Sequence, residues 1–507
     1  MTDGNFHDLI ALRIATHRNK PFLTIPGGRV WTFGDIDALS AKIAGALIRA
    51  GAKPGDRIAA QVEKSAENVA LYLASLRAGF VYLPLNTAYT AREIDYFIND
   101  AEPVIFVCDP SRTQEIRPGE ATSGPAILTL SASGAGTLLD AAADAPSFEA
   151  TAPREEDDLA AILYTSGTTG RSKGAMLTHR NLSSNALALC DIWGFRDEDI
   201  LLHALPIFHI HGLFVALNTS LLNASGIIFL EKFDVAAVRE QLQGATIMMG
   251  VPTFYTRLLA DPDFGAEDCA TIRVFISGSA PLTAETFKAF EDRTGCKILE
   301  RYGMSEAGMI ASNPLDGARI AGTVGYALPD VDLRVIADGK PAQAGEAGIV
   351  EVKGPNVFKG YWRMPDKTAE EFREAGWFST GDVGALSEDG RLTLSGRAKD
   401  LIIVGGYNVY PKEIEDILDA LPEVAEAAVI GAPHADMGEG VVALLVPAGG
   451  SAAAPPLDEA ALKKAVADLA RFKQPRRFFW VDALPRNTMG KVQKQALREQ
   501  YARAFAE

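Results

Sequence analysis

The sequence has few cysteines and few histidines. Its 507 residues include four cysteines and seven histidines. The cysteines lie far apart, without Cys-x-x-Cys spacing and without a nearby group of histidines. Such residues are most simply reduced, buried thiols, as expected in a cytosolic protein. The four are Cys108, Cys190, Cys269 and Cys296.

Positive charge is also scarce, and no apolar run is long enough to cross a bilayer. The chain has 49 basic and 65 acidic residues, a formal net charge of −16, which argues against a nucleic-acid surface. Polar residues interrupt the most apolar region, 201–230, so no membrane span is expected. The first residues lack the basic-then-apolar pattern of a signal peptide. We predict a cytoplasmic protein that binds neither nucleic acid nor membrane.

What is present is the pattern of a multidomain α/β protein. Hydrophobic residues make up 48% and charged residues 22% of the chain, which is typical of a globular protein. A chain of this length is expected to form two or more domains. Strand and helix patterns alternate from Thr32 to Ile276, which predicts doubly wound parallel sheets. Segment 131–153, rich in Ala, Gly, Ser and Pro, is interpreted as a loop or linker.

The pattern changes in the last third of the chain. After Gly322, short strands spaced by glycines predict a small antiparallel β-barrel or sheet. A polar segment between two apolar strands predicts a hinge, and a strand–helix–strand pattern follows it. We therefore predict an α/β fold with a large N-terminal domain of doubly wound layers plus the small β-barrel (1–396), a hinge (397–400) and a smaller α+β C-terminal domain (401–507).

The most unusual stretch is Tyr164–Gly174, Tyr-Thr-Ser-Gly-Thr-Thr-Gly-Arg-Ser-Lys-Gly. It follows an apolar run, 158–163, that predicts a buried strand, and it precedes a helical pattern from about Thr178. Its glycines and hydroxyls, with Lys173, suit a loop that binds a polyphosphate. Taken alone, the tract could equally be a solvent-exposed loop, and it lacks the spacing of the P-loop ATPases.

Other stretches accompany this tract along the chain. Taken singly, each has an ordinary structural explanation: a solvated strand end, a turn or a solvated lysine. Together, in this order and at these spacings, they closely resemble the adenylate-forming superfamily of acyl- and aryl-CoA synthetases, luciferases and adenylation domains. The sequence departs from the family pattern at Ser172, where proline is usual, and at Ser305, where threonine is usual. The matching stretches are Ser279–Pro281, Glu300–Glu306, Ser379–Asp382, Gly396–Asp400, Gly405–Glu413 and Leu484–Lys494.

The resemblance implies an ATP site with named roles. Tyr302 would stack on adenine, and Asp382 with Arg397 would bind the ribose through charge-assisted hydrogen bonds. Glu306 would bind Mg²⁺, which takes few protein carboxylates and shares its shell with phosphate oxygens. The implied catalytic residues are Lys491, Glu306, Thr165 and Lys173. The implied ATP-binding residues are Thr165, Ser166, Gly167, Thr168, Thr169, Gly170, Lys173, Ser279, Ala280, Pro281, Glu300, Arg301, Tyr302, Gly303, Met304, Ser305, Asp382, Arg397 and Lys491.

The resemblance also implies a two-step reaction that uses ATP, Mg²⁺ and CoA. A carboxylate attacks the α-phosphorus to give acyl-AMP and pyrophosphate, and the CoA thiol then displaces AMP. The C-terminal domain would be mobile, rotating about Lys399 between the steps. Gly405, Gly406 and Tyr407 would line the path of the CoA pantetheine arm. A lysine acetyltransferase and deacetylase are possible partners, because neutralising Lys491 should block adenylation.

The acid is indicated by the stretches around the predicted pocket. Residues 208–212, 251–258 and 485–494 resemble the corresponding parts of the malonyl-CoA synthetases, which also take methylmalonate. We therefore predict a small dicarboxylate as the acid substrate. A fatty-acid enzyme would instead line this region with apolar groups and leave no charge there.

Arg257 is the residue that favours a second carboxylate. It lies about one helical turn after a predicted helix start, where it is either a surface residue or a bidentate clamp for the distal carboxylate. Ser279 or His209 would share that carboxylate, and Met309 would limit the size of a side branch. Three other functions stay open: a monocarboxylate–CoA ligase, an adenylation module that loads a carrier protein, and a non-catalytic nucleotide sensor.

Overall fold

The computed structural model describes residues 4–113, 124–165, 172–449, 451–487 and 491–506. Its first part contains a six-stranded sheet with the order β6-β5-β3-β4-β7-β8. All neighbours in it are parallel except β7 and β8, which pair antiparallel around the predicted phosphate loop. The elements are α1 (Phe6–His17), β1 (Pro21–Thr24), β2 (Val30–Thr32), α2 (Phe33–Arg49), β3 (Arg57–Gln61), α3 (Ala66–Arg77), β4 (Val81–Pro84), α4 (Ala91–Ala101), β5 (Ile105–Cys108), β6 (Ala126–Thr129), α5 (Thr137–Asp144), β7 (Leu159–Thr165), β8 (Lys173–Thr178) and α6 (His179–Ile192).

Local sequence signals account for many of these boundaries. Thr32 and Asp35 form a capping box at the start of α2: the Thr32 hydroxyl accepts from the Asp35 N–H, and the Asp35 carboxylate accepts from the Thr32 N–H. This arrangement satisfies backbone donors that an α-helix leaves free at its N-terminus. Thr178 caps α6 in the same way, next to the end of β8.

The interpretation of 131–153 as a loop or linker is wrong in part, because it contains α5. Leu138 and Ala142 of this helix are buried, and Arg49 of α2 donates hydrogen bonds to the Ala141 and Asp144 carbonyls. The overall Gly, Ser and Pro content of the segment predicted a loop, although it contains an alanine-rich stretch of high helix propensity. Packing against α2 stabilises it.

The middle of the chain forms a nine-stranded sheet with the order β15-β14-β13-β12-β11-β9-β10-β1-β2. Its central strands are parallel, so their carboxyl ends meet at one edge, where ligands bind in sheets of this type. The elements are β9 (Ile200–His203), a π-helical segment (His211–Leu217), α7 (Asn218–Asn223), β10 (Gly226–Phe229), α8 (Val235–Leu242), β11 (Ile247–Gly250), α9 (Pro252–Ala260), β12 (Val274–Ser277), α10 (Ala284–Thr294), β13 (Ile298–Met304), β14 (Gly308–Ser312) and β15 (Tyr326–Ala327).

The small β unit is an antiparallel sheet with the order β17-β16-β18-β19-β20. It is joined to the phosphate-loop hairpin by a β-bridge between Ala175 and Tyr361. This bridge brings the segment before α11 next to Lys173. The elements are β16 (Asp332–Ala337), β17 (Lys340–Pro341), β18 (Gly348–Lys353), α11 (Pro365–Glu371), β19 (Phe378–Leu386) and β20 (Leu392–Arg397).

The C-terminal part has its own sheet and its own cores. Its strands follow the order β22-β21-β24-β23, and β25 pairs with β24. Buried side chains of the main core lie between Phe6 and Leu392, whereas the C-terminal cores lie between Ile402 and Leu497. The predicted separate C-terminal domain is thus confirmed. Its elements are β21 (Ile402–Val404), β22 (Tyr407–Val409), α12 (Pro411–Asp419), β23 (Val424–His434), β24 (Gly438–Pro447), α13 (Glu459–Ala465), β25 (Arg477–Trp480) and α14 (Lys494–Gln500).

A membrane-spanning helix would need a long apolar segment. Among the described residues, no helix combines the length and the hydropathy that a bilayer crossing requires.

Candidate active site

One end of the site is built by β8 and the segment before α11. Lys173 begins β8, opposite Thr165 at the end of β7, and the Thr165 hydroxyl donates to the Lys173 carbonyl at 3.4 Å. The Lys173 ammonium lies 4.0 Å from the centroid of the Tyr361 ring and 2.9 Å from Glu371 Oε1. We call this group the phosphate end. Five predicted phosphate-loop residues lie outside the described residues: Ser166, Gly167, Thr168, Thr169 and Gly170.

Glu306 is a buried carboxylate at the phosphate end. Only 7% of its surface is exposed, and burial raises its pKa, although Arg397, Tyr361 and Lys173 oppose that shift. Its Oε1 accepts a hydrogen bond from the Tyr361 hydroxyl at 3.1 Å. A single carboxylate beside a phosphate-binding lysine fits Mg²⁺, whose shell is otherwise completed by phosphate oxygens and water. The described residues contain no group of three or more His, Cys, Asp or Glu able to bind a metal by themselves.

The predicted ribose residues form one hydrogen-bonded group. Asp382 is 7% exposed; one of its oxygens accepts from the Tyr302 hydroxyl and the other lies 2.8 Å from Arg397 Nε. Arg397 also donates to the Thr380 carbonyl at 3.0 Å. Burial and the Asp382 charge together raise the pKa of Tyr302. The structure therefore brings together Tyr302, Asp382 and Arg397, which are distant in sequence.

At the opposite end, Arg301 of β13 is buried with two nitrogens unpartnered. Its side chain is 3% exposed, and neither Nε nor Nη2 has a hydrogen-bond partner among the described residues. Burial lowers its pKa to about 9. A Cβ at Gly278 would lie 2.5 Å from the guanidinium carbon, so only glycine there lets the guanidinium reach this position. We call this group the acid end.

Three further polar side chains belong to the acid end. His211 is fully buried; its Nδ1 lies 3.2 Å from Ser279 Oγ, and its Nε2 lacks a partner among the described residues. Ser277 Oγ is likewise buried and unpartnered in the described part of the chain. Burial lowers the pKa of His211, with the Arg301 charge as the next cause. Hydrogen-bond donors left open in a buried site are suited to an anion.

His209 lies between the acid end and Lys491. Burial, followed by the charges of Lys491 and Arg301, lowers its pKa to about 3. Its Nδ1 accepts from the His211 N–H at 3.3 Å. His209 is therefore a neutral imidazole, and the formal positive charge of the acid end resides on Arg301.

Met309, predicted to limit the size of the acid, is buried at the start of β14. It is 1% exposed, and its backbone is fixed by Asn185, which accepts from the Met309 N–H at 3.0 Å and donates to its carbonyl at 2.8 Å. A Cβ at Gly303 would lie 2.4 Å from the Met309 methyl group. The methionine side chain thus packs directly against the backbone that follows Tyr302, and its role in limiting a side branch stays a prediction.

Arg257 differs from the other residues predicted to bind the acid. It is exposed on α9, and no hydrogen bond or ion pair from it is found to any described residue. Its role as distal clamp stays a prediction. Arg301, which sequence analysis assigned to ATP, and His211, which it passed over, are the buried polar groups instead. The available signal was a pair of adjacent charged residues, Glu300 and Arg301, at the end of an apolar strand.

The remaining predicted nucleotide residues lie around the carboxyl ends of β12 and β13. Ala280, Gly303, Met304 and Ser305 are partly exposed, and Pro281 is exposed. Glu300 is buried, and its Oε1 accepts from the Leu282 N–H at 3.0 Å. Burial raises its pKa to about 7, so Glu300 supports the turn after β12 from within the protein.

Lys491 of the C-terminal domain reaches this cleft. The charges of Arg397, Asp382, Glu306 and Arg301, on both ends of the site, all act on its ammonium. The residue keeps access to water, while crowding by protein atoms lowers its pKa to about 8. The predicted catalytic lysine is thus close enough to residues of both ends of the site for their charges to act on it.

The predicted CoA-binding residues are exposed. Gly405 and Gly406, both with positive φ, form the two-residue turn between β21 and β22, and Tyr407 is 62% exposed. Such a turn suits glycine. Lys399 lies in a 3₁₀ turn, where burial lowers its pKa; the next residue, Asp400, pairs with Arg498 at 2.9 Å. The Gly405–Gly406 turn is thus open to solvent in the same domain arrangement in which Lys491 is near both ends of the site.

Comparisons with known proteins match both parts of the chain to one family. The family described as AMP-binding enzyme matches residues 11–362, and the AMP-binding enzyme C-terminal domain matches residues 413–491. A malonate–CoA ligase of Arabidopsis thaliana is 36% identical over 486 residues, covering 89% of this chain and 78% of that protein.

Two crystal structures of MatB from Rhodopseudomonas palustris, each 51% identical to this chain, cover 99% of it and 100% of their own chains. The ATP-bound form superposes with a TM-score of 0.96 and the apo form with 0.86, so the domain arrangement described above is nearer to the ATP-bound form. With its motifs assembled in one cleft and both parts of the family matched, the chain belongs to the AMP-binding enzyme family.

Proposed function

We propose that this chain is an AMP-forming ligase that joins malonate, or a similarly small dicarboxylate, to CoA. The observation that carries the proposal is Arg301, a buried guanidinium with two unpartnered nitrogens at the acid end. Its planar donors match a carboxylate in bidentate geometry. A monocarboxylate would leave this guanidinium buried and unpaired, which is unfavourable. The malonate–CoA ligase of Arabidopsis thaliana supports the same acid.

In the first half-reaction, the proximal carboxylate of the acid attacks the α-phosphorus of ATP, and pyrophosphate leaves. Two anions must approach each other, so the chain supplies positive charge at three places. Lys173 serves the leaving phosphates, Lys491 the α-phosphoryl and carboxylate oxygens, and Arg301 the distal carboxylate. Tyr302, Asp382 and Arg397 hold the nucleoside. Glu306 would bind Mg²⁺, which would offset charge on the phosphates when bound.

In the second half-reaction, the CoA thiol attacks the acyl carbon, and AMP leaves. With Lys491 in the cleft and the Gly405–Tyr407 turn open to solvent, the arrangement seen here suits adenylation. We propose that the C-terminal domain turns about Lys399 to bring the turn to the cleft, a hinge closure of the kind that gates many enzymes. Acetylation of Lys491 by an acetyltransferase and removal of the acetyl group by a deacetylase stay predictions. The cytoplasmic location also stays a prediction.

One experiment tests the proposal directly. Pyrophosphate release and CoA-thioester formation are measured with malonate, methylmalonate, succinate, acetate, propionate and a medium-chain fatty acid. We expect malonate or methylmalonate to give the highest kcat/KM. A short dicarboxylate can place one carboxylate at the α-phosphorus of ATP and the other at Arg301. Equal use of propionate would contradict the dicarboxylate assignment. Pyrophosphate release without thioester when CoA is supplied would favour a carrier-protein acceptor.

A further inference from the structure

Glu371 has no role in the reaction as described so far, yet it contacts two groups of the phosphate end. It is the last residue of α11, and 31% of its side chain is exposed. Oε1 accepts from the Lys173 ammonium at 2.9 Å, and Oε2 accepts from the Tyr361 hydroxyl at 2.8 Å. One carboxylate thus joins the phosphate-loop lysine to the tyrosine beside Glu306.

The Tyr361 hydroxyl is shared between two carboxylates. It lies 2.8 Å from Glu371 Oε2 and 3.1 Å from Glu306 Oε1. A phenol has one proton to donate, so the two carboxylates compete for it. Because Tyr361 is 2% exposed, water has little access to relieve this competition. A change at Glu371 is therefore transmitted to Glu306 through a single hydroxyl group.

Lys173 is held from two directions. Its ammonium lies over the face of Tyr361 and donates one hydrogen bond to Glu371. An ammonium has three N–H donors, and among the described residues Lys173 uses one of them, for Glu371. Without Glu371, the contacts that hold its flexible four-carbon side chain within the described part of the chain would be reduced to the aromatic face. The carboxylate thus fixes the direction in which the two remaining donors point.

We propose that Glu371 is a positioning residue for the adenylation step. One carboxylate oxygen orients Lys173 toward the β- and γ-phosphates of ATP, and the other holds Tyr361 against the buried Glu306. The inference rests on the proposed function, because it concerns how that same site receives ATP. It predicts that the charge of Glu371 matters for pyrophosphate release and not for thioester formation from acyl-AMP.

The test compares Glu371→Gln with Glu370→Gln. The first variant keeps the size of the side chain and removes its charge. The second changes the neighbouring residue, whose exposed carboxylate pairs, among the described residues, with Lys367 on the same helix. We expect Glu371→Gln to lower kcat for pyrophosphate release about 10-fold and to raise KM for ATP, since a misplacement near 1 Å can reduce rates by about 10²-fold. Thioester formation from supplied malonyl-AMP should match that of Glu370→Gln.

A double-mutant cycle with Lys173→Gln separates positioning from a general structural effect. If Glu371 acts through Lys173, Glu371→Gln causes little further loss in the Lys173→Gln background. Full additivity would overturn the proposal, as would equal losses in both half-reactions or a Glu371→Gln variant with the pyrophosphate release of Glu370→Gln. If the unmodified enzyme released pyrophosphate with none of the acids, the proposed function would fail instead.

Discussion

The two ends of the cleft differ in whether their cationic side chains are paired with carboxylates. At the phosphate end, Lys173 pairs with Glu371 and Arg397 pairs with Asp382. At the acid end, Arg301 is buried and two of its nitrogens have no partner among the described residues. The phosphate end is thus neutralised by the protein itself and receives ATP by rearranging existing pairs. At the acid end, no described residue pairs with these two nitrogens, and in the proposed function the acid would do so.

This difference indicates where specificity arises. A paired lysine discriminates weakly, because any polyanion with several oxygens can share it. An unpaired, buried guanidinium discriminates strongly, because a ligand that fails to pair with it leaves it uncompensated. Under the proposed function, the choice of the acid would therefore depend on Arg301, whereas ATP binding would be spread over several residues.

The largest expected effect concerns Lys491, which serves both ends. Lys491→Ala should lower the adenylation rate by about 10²–10³-fold, because removing one preorganised charge from the transition state typically has that effect. Thioester formation from supplied malonyl-AMP should persist, since that step uses the other domain arrangement. Single-turnover assays of each half-reaction measure this; equal loss in both would contradict the two-arrangement mechanism.

The next effect separates the two ends. Arg301→Met should lower kcat/KM for malonate by about 10²-fold, in the range found when one partner of a buried charge pair is truncated. The kcat/KM for propionate should fall much less or rise, because the apolar side chain removes an unpaired charge. Arg257→Met, at an exposed position on α9, is the matched comparison. A larger loss from Arg257→Met than from Arg301→Met would move the clamp to Arg257.

The smallest effect is a pH dependence. Because the pKa of Lys491 is lowered to about 8, its ammonium is charged below that pH and loses its proton above it. The kcat/KM for ATP should therefore fall as pH rises through about 8, approaching tenfold per pH unit. In Lys491→Arg this descending limb should move above pH 10, since a guanidinium stays protonated there. If the descending part of the pH profile were unchanged in Lys491→Arg, it would report the titration of another group.

Sequence patterns predicted the structure where it depends on residues that are close together along the chain. The strand before the phosphate tract and the helix after it are local features, and the sequence predicted both correctly. Contacts across the fold were not predictable in this way. Lys173 and Glu371 are 198 residues apart, and nothing near either residue indicates that they pair.

The acid end shows the same limit more clearly. Arg301 stands next to Tyr302, so its motif suggested a nucleotide role, but neighbouring residues on a β-strand point to opposite faces. Its direction toward His211 and Gly278 follows from the packing of β12 against β13, which no single motif encodes. Segment 131–153 was misinterpreted for a related reason, because composition alone does not reveal that Leu138 has a partner in α2.

The unpaired Arg301 has a consequence for the protein before any substrate arrives. A buried charge with nitrogens that lack a hydrogen-bond partner among the described residues lowers the free energy of unfolding, so an acid that pairs with Arg301 should raise the stability of the protein. A correct acid at 100 times its Kd would add about 2.7 kcal/mol. The melting temperature of the purified chain, followed across a collection of small acids, would then reveal the substrate without ATP, CoA or turnover.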